Sequence, residues 1–165
     1  PKPQNPSFQI IVNIFIMSAN KEATLKSVNE HWDSWYIPAL EDFIRVPNLT
    51  PMVDFEYLTN GLLEKSIDLV DQYIQKLGVK GVERKIFKNE AGMPLVVYVI
   101  AGSEGCDKNI MCYGHLDKQP YGAGWDEDKS PTEPITIGDC MYGRGVSDDG
   151  YAPFSTMLGI KAMQD

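Results

Sequence analysis

The sequence is poor in residues and motifs that define several common classes of protein. It has three cysteines, Cys106, Cys112 and Cys140, and none of them lies in the C-x-x-C spacing of a thiolate zinc site. An odd number of cysteines argues against a disulfide framework and favours a reducing compartment, so we expect a cytoplasmic protein. No G-x-S-x-G motif occurs, which excludes the nucleophile elbow of a serine hydrolase.

Basic residues are scarce as well. Fifteen lysines and arginines stand against 23 aspartates and glutamates, which gives a net charge of −8. A negative field repels phosphate backbones and anionic lipids, so we expect no nucleic-acid partner and no membrane partner. An apolar run at residues 8–17 (FQIIVNIFIM) is too short to span a bilayer. The acidic net charge favours a protein that acts on small molecules or peptides.

The first 20 residues are interpreted as a doubtful N-terminal extension. The chain begins with Pro1, and Met17 offers an alternative start, so the preceding residues need not belong to the domain. A second interpretation stays open, because Lys2, the apolar run and Ala19 follow the order of a secretory signal peptide. In that case the protein would be secreted. The folded domain is expected over residues 21–165.

Hydrophobic periodicity predicts three helical segments in this domain. Apolar residues at three- to four-residue spacing predict a helix over residues 23–43, split or kinked near Pro38. A clearer amphipathic helix is predicted at residues 62–77, with Gly78 as its stop. The third is predicted from residue 151 to residue 165.

Three strands are predicted between the second and third helices. Residues 82–87 and the apolar, β-branched run 94–100 are separated by turn-forming residues and predict a hairpin. Residues 109–113 (NIMCY) predict a short buried strand, and residues 118–134 a long loop. The expected fold class is α/β, a mixed sheet flanked by helices.

His115 and Asp117 form an H-x-D pair directly after the third predicted strand. Ligands bind at the carboxyl ends of strands in open α/β sheets. Imidazole is a good zinc ligand, and a nearby carboxylate can hydrogen-bond its second ring nitrogen. The alternative is a buried core histidine with its hydrogen bonds satisfied, and the pair alone does not decide between the two.

Asp148 and Asp149 are adjacent carboxylates that follow a Gly-Arg-Gly turn and precede a predicted helix. Negative charge is stabilised at a helix N-terminus, so capping is the simpler interpretation of Asp149. Asp148 is a candidate metal ligand as well, because a carboxylate can bridge two cations about 3.5 to 4 Å apart.

Taken together, GHLDKQP at residues 114–120 and GDCMYGRGVSDDGYAPF at residues 138–154 resemble the family of dinuclear zinc exopeptidases and amidohydrolases. This family includes carnosine dipeptidases, aminoacylases, glutamate carboxypeptidases and succinyl-diaminopimelate desuccinylases. The resemblance extends from about residue 94 to residue 165. Gly150-Tyr151-Ala152 replaces the commoner Lys-Gly, as it does in one sub-branch of the family.

The resemblance implies a role for each residue of the two motifs. His115 would be a ligand of one metal ion, and Asp148 the carboxylate that bridges both. Asp117 would contribute to catalysis by orienting and polarising the imidazole, whereas Leu116 and Lys118 would be packing or loop positions. The cofactors implied are two divalent ions, zinc in the first instance, with manganese or cobalt as alternatives.

The function implied is metal-dependent hydrolysis of amide bonds in dipeptides, C-terminal residues or acylated amino acids. The full-length protein would be a homodimer acting on a peptide or acyl-amino-acid substrate. In this family a catalytic Glu-Glu pair and further ligands follow the helix that begins near Gly150, so residues 21–165 are expected to be a truncated catalytic domain without the lid domain. The alternative is a catalytically inactive binding module that retains the fold.

Overall fold

The computed structural model describes residues 20–102 and 104–165. The two interpretations of the N-terminal extension therefore concern residues outside the described part. Along the chain the elements are α1 (Lys21–His31), a π-helical turn (Trp32–Tyr36), α2 (Ile37–Arg45), α3 (Leu62–Leu77), β1 (Val82–Lys88), β2 (Pro94–Ile100), β3 (Ile135–Ile137), β4 (Cys140–Tyr142), a second π-type turn (Val146–Gly150) and α4 (Tyr151–Gln164).

The first predicted helix is interrupted before Pro38, as expected. Proline has no amide hydrogen to donate to the preceding turn. Just before it the helix widens, and the amide of Ile37 donates to the carbonyl of Trp32, five residues back. The side chain of Asn20 caps the start of α1 by accepting from the amides of Glu22 and Ala23. The predicted kinked helix is therefore observed as three successive elements, α1, a π-helical turn and α2.

The amphipathic helix at residues 62–77 is confirmed as α3, with the bounds that the periodicity predicts. Its apolar stripe includes Val70, Tyr73 and Leu77, all of which are buried. Gly78 ends the helix in the left-handed conformation, at φ 67°, which glycine adopts without steric cost.

The predicted hairpin is confirmed, but the single mixed sheet is wrong. Strands β1 and β2 pair antiparallel, with Val82 opposite Ile100 and Lys88 opposite Pro94. Strands β3 and β4 form a separate antiparallel pair. The described residues thus combine helices with two small antiparallel sheets.

The strand predicted at residues 109–113 is also wrong. This segment has no strand pairing among the described residues, and its side chains are exposed, Met111 by 92%. An apolar pattern signals a preference for burial, but a strand also needs a neighbour that satisfies its amides and carbonyls. In the described part of the chain neither sheet extends to this segment.

The hydrophobic core lies between α2, α3 and α4. Three aromatic rings meet at its centre, since Phe154 of α4 lies 5.1 Å from Tyr73 of α3 and 5.9 Å from Phe43 of α2, measured between ring centroids. Phe43 and Phe154 have no exposed surface. The third predicted helix is confirmed as α4, and none of the helices in the described ranges has the length and apolar character needed to cross a bilayer.

We predict that Phe154→Ala lowers the free energy of unfolding by about 3 to 5 kcal/mol, because it opens a cavity where three helices meet. Met163→Ala is the control, since Met163 lies on the same helix with 53% of its surface exposed. Its effect should stay within about 0.5 kcal/mol. Urea unfolding followed by circular dichroism measures both, and equal effects of the two variants would contradict this placement of the core.

Candidate metal centre

His115 lies in an irregular loop and not at the end of a strand. The loop is nevertheless fixed by hydrogen bonds to the segment that follows α2. The buried side chain of Asn48 donates to the carbonyl of Leu116 over 2.6 Å, and the amide of Lys118 donates to the carbonyl of Asn48 over 3.0 Å. The amide of Thr50 donates back to the carbonyl of Lys118 over 2.8 Å. The 46–50 segment thus holds the backbone of residues 116–118 in place.

Asp148 reaches the same region through the turn that follows β4. Gly145 has φ 94°, a left-handed conformation that side chains disfavour, so glycine suits this position. Gly150 is held so closely that a Cβ atom there would collide with the Phe43 ring and with the carbonyl of Gly145. The peptide bond between Asp148 and Asp149 is cis.

The structure brings His115, Asp117 and Asp148 together. Nε2 of His115 lies 3.2 Å from Oδ1 of Asp148. On the other side of the ring, Nδ1 lies 3.0 Å from the carbonyl oxygen of Asp117 and 3.3 Å from its Oδ1. The imidazole is therefore held between two aspartates that are distant in sequence.

These contacts limit which ring nitrogens of His115 can donate a hydrogen. A neutral imidazole donates from one nitrogen and accepts at the other. Both oxygens near Nδ1 are acceptors, so Nδ1 donates to them. The contact of Nε2 with the Asp148 carboxylate at 3.2 Å is satisfied either by a second ring hydrogen or by a cation between the two atoms.

The donor set fits a divalent metal ion. Nitrogen and oxygen ligands of a tetrahedral zinc ion, each about 2.0 to 2.2 Å from it, are about 3.3 to 3.6 Å apart. The observed separation of Nε2 and Oδ1, 3.2 Å, is close to the lower end of this range. The carboxylate and carbonyl of Asp117 at Nδ1 match the hydrogen bond that fixes the tautomer of most metal-bound histidines. His115 and Asp148 are the residues that would hold the ion.

Asp149 has a different role from the predicted one. Among the described residues no side chain, that of Asp149 included, caps the N-terminus of α4, so the capping interpretation is wrong. The Asp149 carboxylate instead accepts from the backbone amide of His115 over 3.3 Å. This hydrogen bond joins the turn of Asp148 directly to the loop of His115. It could not be predicted from the adjacency of Asp148 and Asp149 in the sequence.

The site is open. The side chains of His115, Asp117 and Asp148 are 33%, 41% and 59% exposed, so water and ligands can reach them. The described ranges contain no group of three or more His, Cys, Asp and Glu side chains arranged around one metal position. This part of the chain accordingly offers two ligands to an ion, with room for water at the remaining positions.

Lys118 is the residue whose importance the sequence did not indicate. It was expected at a packing or loop position, and its side chain is only 1% exposed. Burial lowers the pKa of its ammonium to about 7. A lysine next to Gln119 and Pro120 in a polar loop resembles any solvated lysine, so the sequence holds no signal for this burial.

No protein-family model matches the chain. The resemblance to dinuclear zinc exopeptidases therefore depends on the two motifs and remains a prediction.

We predict that Gly114→Ala destabilises the protein by about 1 to 3 kcal/mol, because overpacked sites force the backbone to move. A Cβ atom at Gly114 would lie 2.8 Å from Cβ of Ala152 and 3.3 Å from the Asp149 carboxylate. The double variant Gly114→Ala/Ala152→Gly removes the closest contact and should recover part of the loss. Urea denaturation measures all of these variants.

Gly159→Ala is the matched control for this test. A Cβ atom at Gly159 meets nothing within 4 Å, and the residue lies inside α4. Alanine there should stabilise the helix by about 0.5 to 1 kcal/mol. Equal destabilisation by Gly114→Ala and Gly159→Ala would show that the loop and the start of α4 are not packed as described.

Proposed function

We propose that this chain contributes part of the two-metal centre of a hydrolase that cleaves amide bonds in dipeptides, C-terminal residues or acylated amino acids. The observation that carries the proposal is the pairing of His115 with Asp148 at 3.2 Å, while Asp117 holds the opposite ring nitrogen. The two motifs are 33 residues apart in sequence, and the proposed chemistry requires them to meet.

In this proposal each of the three residues has a separate task. His115 would hold one ion through Nε2, and Asp148 would hold both ions. Asp117 keeps the proton on Nδ1, so that Nε2 stays available as a ligand. Two divalent ions, when bound, polarise the scissile carbonyl and lower the pKa of the attacking water. Zinc suits this nitrogen and oxygen donor set, and manganese or cobalt can replace it.

The general base and the other ligands enter this proposal through the resemblance alone. It assigns them to a Glu-Glu pair, a later acidic residue and a distant histidine, all beyond residue 165.

Two protein ligands hold an ion weakly, because water fills the remaining positions. The 165-residue chain should accordingly bind zinc weakly, and it should show no dipeptide hydrolysis with zinc or manganese added. The full-length homodimer should be active.

We predict that His115→Ala and Asp148→Ala abolish hydrolysis in the full-length protein, because each removes a metal ligand. Asp117→Ala should retain at least part of the metal and lower turnover by about 10- to 100-fold, the usual effect of losing a residue that orients a ligand. Metal content by elemental analysis, measured together with turnover of dipeptides, separates the two effects.

Asp68→Ala is the control, because Asp68 is an exposed aspartate on α3 and lies outside the site. It should change neither metal content nor turnover. An Asp148→Ala protein that stays active with both metals bound would overturn the proposal. A full-length protein that folds but neither binds metal nor hydrolyses any amide would instead support the alternative, a binding module that retains the fold.

A further inference from the structure

The Lys118 side chain ends among backbone carbonyls. Its Nζ donates to the carbonyl of Phe43 over 2.6 Å, of Ile44 over 3.2 Å and of Val46 over 2.5 Å. An ammonium group has three donors and no acceptor, so three carbonyls satisfy it completely. The group also lies 4.1 Å from the centroid of the Phe43 ring, a favourable position for a cation.

These carbonyls belong to the C-terminal end of α2, which ends at Arg45. The last carbonyls of a helix have no partner within the helix, and the helix dipole makes this end attractive to a positive charge. Lys118 therefore acts as the C-terminal cap of a helix that is more than 70 residues away from it in sequence.

The stem of the same side chain supports the turn that carries Asp148. A Cβ atom on Gly145 would lie 2.8 Å from Cε of Lys118 and 3.3 Å from both Cδ and Cγ. The backbone of Gly145 thus rests directly on the lysine. Any other residue at position 145 would have to displace the stem, in addition to adopting a left-handed φ of 94°.

The backbone of Lys118 belongs to the loop that carries His115. It exchanges hydrogen bonds with Asn48 and Thr50, the segment that continues from α2. Lys118 therefore belongs to the loop of His115 and contacts both the turn of Asp148 and the C-terminal end of α2.

We infer that Lys118 is a positioning residue, which sets the separation of His115 and Asp148 by joining both of their segments to the C-terminal end of α2. It does not contact the proposed metal position and acts only through these segments. This inference rests on the proposed metal centre for its effect on affinity, but its geometric part does not depend on any metal.

The test compares Lys118→Met with the unsubstituted protein. Methionine keeps most of the stem and removes all three donors. The separation of Nε2 of His115 and Oδ1 of Asp148, determined by crystallography without metal, should lengthen by about 1 Å or more from hydrogen-bonding distance. The dissociation constant for Co²⁺, followed by its visible absorption, should rise by about tenfold or more, as for other residues that orient a ligand.

Lys129→Met is the matched control. Lys129 also has a largely buried side chain, and its ammonium also lies against an aromatic ring, 4.9 Å from the centroid of Tyr142. It contacts Asp126 and Asp128, which lie outside the candidate site. This variant should change neither the His115 to Asp148 separation nor the Co²⁺ affinity, whatever its effect on the melting temperature.

A purely structural lysine gives a different result. If Lys118→Met lowers the melting temperature but leaves the separation at hydrogen-bonding distance and the Co²⁺ affinity within twofold of the starting value, the inference is wrong. If the unsubstituted full-length protein binds no Co²⁺, the proposed function fails, and the separation alone decides the role of Lys118. If Lys118→Met does not fold, Lys118→Gln, which removes the positive charge but keeps an amide donor, provides the same two measurements.

Discussion

The packing at the C-terminal end of α2 is the constraint on which the candidate site depends. Phe43 is fully buried there, and it contacts the core through Phe154 and the site through Gly150 and Lys118. Gly143 lies against Ile44, since a Cβ atom at Gly143 would come within 2.8 Å of the Ile44 side chain. One helix end thus supports both the hydrophobic core and the turn that carries Asp148. Interiors packed this closely transmit small displacements, so changes in the core are expected to reach the site.

Electrostatics gives the site its chemical character. In a chain of net charge −8, an imidazole lies between two aspartates, while the buried ammonium of Lys118 donates to carbonyls and not to a carboxylate. Asp117 and Asp148 both contact His115 instead of Lys118. This arrangement, more than the identity of any single residue, supports the proposal of a metal centre.

Some elements were predictable because the information that defines them is local. The stripe of α3 and its Gly78 stop lie within one continuous segment, and so do the hairpin of β1 and β2 and the apolar positions of α4. The strand expected at residues 109–113 failed for the opposite reason. Its pattern is local, but the partner that a strand needs is not, and in the described residues the loop is held by Asn48 and Thr50 instead.

By itself, the sequence determined the candidate residues of the site. The H-x-D pair and the Asp-Asp pair after a glycine turn predict His115, Asp117 and Asp148. Only the tertiary structure decided that Asp149 accepts from the His115 amide and does not cap α4, and that Lys118 is buried at the end of α2. Both depend on contacts between segments more than 30 residues apart, because hydrogen-bond partners and burial are properties of the packed chain.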